Sequence, residues 1–328
     1  MPAVRSVVLS VAFAAALPLT AAPAAAQRLP FSRTFTVADG AALDASTIRG
    51  RIDVSVGAPG RVEVEGTVTV RVAGPADALD IARRLATNPP VEQDGATVRL
   101  RAPMSAVERR AVTVAYVVRV PAGMPVRVSS ESGALRVAGV GGGAAIRTQS
   151  GAIDVLALAG PASVETGSGA VHADGVAGLL TVSTQSGGIT AEGLRAGVTV
   201  STQSGAVGLA MTGTGAATVA TQSGGITVAG LRGGLTATTQ SGRVMVDGAP
   251  AAPWTITTGS GSVELALARG AAFELDLETR SGSVVAQDAA FAGTFGKRHV
   301  TVRAGGGGPL VHVRTRSGSI RAAAAGGR

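Results

Sequence analysis

No cysteine occurs in the 328 residues, which excludes disulfides, thiolate metal sites and a lipid-modified N-terminal cysteine. Aromatic residues make up only 2% of the chain, with one Trp, one Tyr and six Phe. A core built without them is narrow and filled by small and β-branched side chains. A surface built without them offers almost no platform for stacking bases, so nucleic acid is not an expected partner. Lysine occurs once, at Lys297, and histidine three times, at His172, His299 and His312. These histidines occupy unrelated positions, so no metal site is expected from them.

What the chain does have is glycine, 47 residues of it, and a hydrophobic content of 45% carried mostly by Ala, Val, Leu and Ile. Residues 1–26 read as an export signal: a positive start (MPAVR), an uncharged apolar run from Val7 to Leu19, and an A-x-A cleavage site at Ala24–Ala26. The competing reading is an uncleaved anchor, because the uncharged stretch nearly reaches the length that spans a bilayer. No later stretch could span one, so the expected place is outside the cytoplasm: periplasm, cell surface or beyond. The net charge of +8 is uneven, with four Arg against nine acids over residues 148–279 but eight basic residues against Asp288 over 280–328. A basic end can touch anionic envelope polymers or lipid headgroups, or be a solvated cap.

The dipeptide Ser-Gly begins at 132, 150, 168, 186, 204, 223, 241, 260, 281 and 317, at spacings of 18, 18, 18, 18, 19, 18, 19, 21 and 36. A fixed period of this length is the mark of a solenoid. A flexible Gly/Ser tract would show no order in its neighbours, and here the neighbours are ordered. Three residues after each Ser stands Leu135, Ile153, Val171, Ile189, Val207, Ile226, Val244, Val263, Val284 or Ile320. Four before it stands Val128, Ile146, Val164, Val182, Val200, Val219, Ala237, Ile256, Leu277 or Val313. Apolar positions step by two on either side of the corner, the period of a strand. Each repeat is thus strand, Ser-Gly corner, strand, turn. Gly is expected to supply positive φ at the bend and Ser to bond the local backbone. The position two before Ser is Thr in nine copies and Ser130 in the first; it is expected to face inward as a hydroxyl ladder that satisfies the backbone.

The expected fold is all-β: a single-chain parallel β-solenoid, or β-helix, of about ten 18-residue coils, each strand pairing with its copy one repeat later. The expected solenoid spans 122–322, followed by a flexible tail at 323–328. Before it, residues 28–121 form a β-rich capping region that covers the solenoid's open edge. Within it PADALDIARRLA at 75–86 is the one helix signal, with Leu79, Ala82 and Leu85 on one face, and STIRGRIDVSV from Ser46 looks like a degenerate coil. The interval 287–310 is expected to hold an irregular coil around His299–Arg303 with a loop at Gly305–Gly308.

An export signal, an alternating N-terminal section, VPAG at Val120–Gly123 and repeats of the form T-x-S-G-x-[IV]-x-[VLA] together resemble an exported bacterial β-strand-repeat family of unknown function, labelled adhesin-type by analogy. The resemblance covers most of residues 33–322, and the periodic part is its specific portion. It implies surface or periplasmic interaction. The family carries no established catalytic residues, so none are carried over.

The outward columns carry the remaining candidate chemistry. Asp174 and Glu192 fall at the same offset in consecutive coils, about 5 Å apart if both face outward, and are the best candidates for carbohydrate cleavage or cation binding. The outward face of the first strand offers the main candidate contact surface: Thr181, Ser183, Thr199, Ser201, Thr218, Thr236, Thr238, Thr255 and Thr257, with Gln185, Gln203, Gln222 and Gln240 at the corner. Hydroxyls and amides repeating every 4.8 Å or so fit a regular polymer such as a glycan, or an ice plane. The plainer reading is that Thr suits exposed strands and Gln stacks well. The expected function is an exported, non-enzymatic scaffold or adhesion module of the cell envelope, with no catalytic residues, metal or cofactor. Its expected partner is an envelope polymer, a cell surface or another protein.

Overall fold

The computed structural model describes residues 27–72, 74–101, 105–287 and 291–324. The export signal expected at 1–26 lies outside them. The chain is a β-solenoid of two long sheets, one of fifteen strands and one of fourteen. Each repeat gives one strand to each sheet, as Ala144–Thr148 and Ile153–Leu156 do on either side of Ser150. Copies stack in parallel and in register: Ile146 pairs with Val128 below and Val164 above, and Ile153 with Leu135 and Val171. The aliphatic residues of both sheets point inward and are buried, so the coils share one continuous core. Trp254, the one tryptophan, takes a coil position usually held by Val, Leu or Ala and is fully buried; its indole N–H donates to the Gly233 carbonyl at 2.8 Å.

The corner glycines are there because the coils nearly touch. A Cβ on Gly151 would fall 2.0 Å from the carbonyl oxygen of Gly133, one on Gly169 1.8 Å from that of Gly151, and one on Gly205 2.1 Å from that of Gly187. No side chain fits such a gap. The expected need for positive φ holds only for Gly282 and Gly318, at φ 147° and 150°; the corner glycines from Gly133 to Gly261 are not left-handed. Close backbone approach, not turn geometry, therefore sets the Ser-Gly repeat.

The inward threonine column is present and buried from Thr47 to Thr315, but its bonding changes along the rod. In the early coils the corner N–H groups of Gly133, Gly151 and Gly169 donate to Ser130, Thr148 and Thr166 of their own coil, at 2.7, 3.0 and 3.0 Å. From Gly187 onward the corner N–H donates instead to the serine carbonyl of the neighbouring coil, as Gly205 does to Ser223 at 3.2 Å and Gly224 to Ser241 at 3.0 Å. Strands lengthen to match: Ala162–Thr166 stops before its corner, whereas Leu180–Ser186 runs into it. The hydroxyls of Thr184, Thr202, Thr221, Thr258 and Thr315 are left buried without a partner. The expectation of a fully satisfied ladder is corrected accordingly: it holds for the first coils and, among the later ones, only for Thr239 and Thr279, whose hydroxyls donate to the carbonyls of Gly224 and Gly318 at 3.4 and 3.0 Å.

At both ends the stacking order departs from the sequence order. The degenerate repeat does form a coil, strands Ala42–Thr47 and Ile52–Val56. It lies inside the stack, because strands Thr97–Leu100 and Val112–Val120, later in the chain, pack on its outer side. Strands Arg61–Val70 and Arg28–Thr36 then continue the fourteen-stranded sheet antiparallel. The helix Ala78–Thr87 packs here through Ala78, Ile81, Ala82 and Leu85, so Ile81 is buried where Leu79 was expected. A second helix, Ala106–Ala111, was not expected; it begins with a capping box between Ser105 and Glu108.

At the other end the coil of Ser317 lies between those of Ser260 and Ser281. The irregular coil expected at 287–310 is instead an antiparallel hairpin, Ala292–Phe295 and His299–Ala304, on the edge strand Phe273–Ser281. The last strand runs on to Ala324, two residues into the expected tail, because Ala323 and Ala324 pair with Ala266 and Leu267. Among the described residues no helix is long and apolar enough to cross a membrane.

Candidate functional site

All thirteen residues of the expected contact surface lie on the outward face of the fifteen-stranded sheet. Thr181, Thr199, Thr218, Thr236 and Thr255 form one row in register. Ser183, Ser201, Thr238 and Thr257 form a second row, interrupted by Ala220. Gln185, Gln203, Gln222 and Gln240 form a third along the corner. All are exposed except Thr181, which is half-buried. Neighbouring members of a row are about 4.8 Å apart, the strand spacing.

The opposite sheet provides the comparison. Its matching outward row reads His172, Thr190, Gly208, Thr227, Met245 and Glu264 in register, with no repeated chemistry. Asp174 and Glu192 face each other there, both exposed and without an ion pair or hydrogen bond among the described residues.

The corner row has two interruptions, and each makes a groove. Continued in stacking order, the row reads Gln149, Gly167, Gln185, Gln203, Gln222, Gln240, Gly259, Arg316 and Arg280. Over Gly167 lies a groove of about 590 Å³ and over Gly259 one of about 510 Å³. A missing side chain opens each, and the backbone closes up beneath: a Cβ would lie 2.5 Å from the Gln149 carbonyl at Gly167 and 2.7 Å from the Gln240 carbonyl at Gly259. An Arg–Glu pair flanks both grooves, Arg147–Glu165 at 2.9 Å and Arg314–Glu278 at 3.1 Å. Only the Gly259 groove also carries guanidiniums without a partner among the described residues, Arg280 and Arg316.

A charged cluster that the sequence reading missed sits on the same face. Asp276 accepts from two imidazoles, His299 Nε2 at 2.8 Å and His312 Nδ1 at 2.9 Å. Partial burial alone would raise the Asp276 carboxyl, but hydrogen bonds and charge from the two histidines outweigh it and hold it below the usual range. The histidines meet only because the Ser317 coil is inserted and the hairpin folds back, so spacing along the chain gave no signal. Among the described residues no group of three or more His, Asp or Glu is arranged to hold a metal ion.

Fold and face together define a parallel β-solenoid with one chemically uniform polar surface. Residues 117–322, more than half of the chain, match the Toastrack DUF4097 family, and the chain belongs to it. This is the type of family whose resemblance the repeats carry. Two solved structures match the chain. One, from Clostridium sporogenes ATCC 15579 and provisionally assigned as a cell adhesion protein, shares 10% identity over 90% of this chain and 99% of its own, with a TM-score of 0.22. The other, provisionally assigned as an adhesin from Bacteroides fragilis NCTC 9343, shares 10% over 89% of this chain and 96% of its own, with a TM-score of 0.28. Neither likeness carries an argument about function. No curated protein matches the chain.

Proposed function

We propose that this protein is an exported, non-catalytic adhesion module or scaffold of the cell envelope, and that the Thr/Ser/Gln face is its contact surface. Its partner on this reading is a regular polymer of the envelope or a cell surface displaying one. The observation that carries the reading is the contrast between the two faces. Both sheets are built from the same coils under the same demand for residues that suit exposed strands. Only one face repeats the same hydroxyl and amide from coil to coil, where Thr199, Thr218, Thr236 and Thr255 stand in one row. Strand propensity alone would act on both faces equally. A lattice of donors and acceptors at a fixed spacing of about 4.8 Å complements a ligand that is itself repetitive.

The test replaces hydroxyls without changing shape. The variant Thr199→Val, Thr218→Val, Thr236→Val, Thr238→Val is expected to lose at least tenfold in retention on isolated envelope fragments. The control Thr190→Val, Thr227→Val, on the other sheet, is expected to bind like the parent. Equal retention by parent and quadruple variant would remove this face as the contact surface.

A further inference from the structure

Resting on that reading, we infer that the groove over Gly259 is an anion subsite, where the polar lattice ends in guanidiniums that take an acidic group of a linear polysaccharide. Three observations converge there. The corner row passes from the Gln240 amide across the bare backbone of Gly259 to Arg316 and then Arg280, on successive rungs of the stack. Both arginines are exposed and make no ion pair or hydrogen bond among the described residues, while the one acid in the groove, Glu278, is taken by Arg314 at 3.1 Å. Thr258 and Thr315 form the floor of the groove, 2% and 5% exposed, with their side chains turned to the interior. The site thus offers positive charge and a gap in the side-chain row through which a ligand group can approach.

The order of the coils makes this site. If the chain stacked in sequence order, Arg280 would follow Gly259 directly and Arg314 and Arg316 would lie elsewhere. Insertion of the Ser317 coil brings Arg314 and Arg316 between them. The hairpin turn closes the end of the corner: the carbonyls of Arg298 and Lys297 accept from the Thr279 and Val284 N–H groups at 2.9 and 3.1 Å. From Gly259 to that turn is about three rungs, or roughly 14 Å. Cations strung along one edge fit a chain laid lengthwise better than a flat membrane, which would meet them as a patch. A planar guanidinium favours carboxylate or sulfate oxygens in a bidentate arrangement, which points to an acidic polysaccharide as occupant. The Gly167 groove, whose one Arg is paired, would take a neutral stretch of the same polymer.

The experiment compares binding of the full chain to immobilised polygalacturonate, to neutral dextran and to vesicles of phosphatidylcholine with phosphatidylglycerol. Arg280→Ala, Arg316→Ala is set against Arg232→Ala, an exposed arginine remote from the groove. Expected are preference for polygalacturonate over dextran, weakening with added salt, at least tenfold loss in the double variant and less than twofold in the control. The double variant should keep the parent melting temperature, since both side chains are exposed. The inference is overturned if the control loses as much per charge removed, if dextran binds as well as polygalacturonate, or if the vesicles are the ligand whose binding the double variant loses. Undiminished binding of the double variant to polygalacturonate, with binding lost in the quadruple Thr→Val variant, would leave the lattice standing and remove the anion subsite alone.

Discussion

Ser260 stands in register with Ser317, and Ser317 with Ser281, so the coil that ends the chain is held between two that precede it. The same device closes the other end, where Ile52–Val56 lies between the later strands Val112–Val120 and Leu135–Ala138. A solenoid has two open edges that would otherwise pair with other chains. Here antiparallel strands finish both sheets at the N-terminal end and the fifteen-stranded sheet at the other, where the fourteen-stranded sheet ends on the parallel strand Val284–Gln287. The inserted coil cannot leave without breaking four ladders of hydrogen bonds.

Removal of the inserted coil should therefore open one end and spare the middle. Deleting residues 310–328 is expected to strip amide hydrogen-exchange protection from 273–304 while residues 126–247 keep theirs. Within the coil, Ile320 is 0% exposed, so Ile320→Ala should cost about 2–5 kcal/mol in denaturant unfolding. Undiminished protection of 273–304 after the deletion would mean that the Ser281 coil docks without its neighbour.

Two adjacent glycines give opposite results on this account. Gly187 lies against the coil below, where a Cβ would come 2.2 Å from the Gly169 carbonyl, whereas a Cβ on Gly188 would meet nothing within 4 Å. Gly187→Ala should destabilise by about 1–3 kcal/mol or more through overpacking. Gly188→Ala should lie within about 1 kcal/mol of the parent, on the stabilising side, because the unfolded chain loses freedom. Matching melting temperatures for the two variants would show that the corner spacing is not what fixes glycine there.

The change in corner bonding predicts a sign change along one threonine column. Thr166 accepts from the Gly169 N–H, so Thr166→Val orphans a buried donor and should cost about 1–3 kcal/mol. Thr202 is buried with no partner for its hydroxyl, so Thr202→Val should be neutral or stabilising by about 1 kcal/mol. Equal destabilisation by both substitutions, measured as denaturant midpoints at constant m-value, would contradict the two-regime corner.

Much of this was legible in the sequence because a two-residue strand period inside an eighteen-residue coil period determines which way each side chain points. Val128, Ile146 and Val164 were readable as core and Thr199, Thr218 and Thr236 as surface from offset alone. The order of coils at the ends was not readable, since VHVRTRSGSI at 311–320 fits beside the Ser260 coil as well as beside the Ser281 coil. What places it is the covering of both edges, a property of the whole chain. The Gly259 groove follows from that order, although the glycines breaking the Gln row at 167 and 259 were a visible sign of both grooves. The threonine column misled because identical residues at identical offsets bond differently once the strand extends through its corner.

The Asp276 carboxylate ties three strands together, its own, that of His299 and that of the inserted coil through His312. Facing the cluster are Glu274 and Glu278 on its own strand, Arg303 on the hairpin and Arg314 on the inserted coil, the acids paired with these arginines at 2.8 and 3.1 Å. Because the folded carboxyl is held below its unfolded value, its contribution to stability is present above about pH 4 and is lost as pH falls through the folded value. Asp276→Asn should therefore melt below the parent at pH 6, with the difference shrinking as pH falls below about 4. A difference that stays constant over that range would mean that Asp276 acts through packing and not through its charge, and the histidine pair would then be an incidental neighbour.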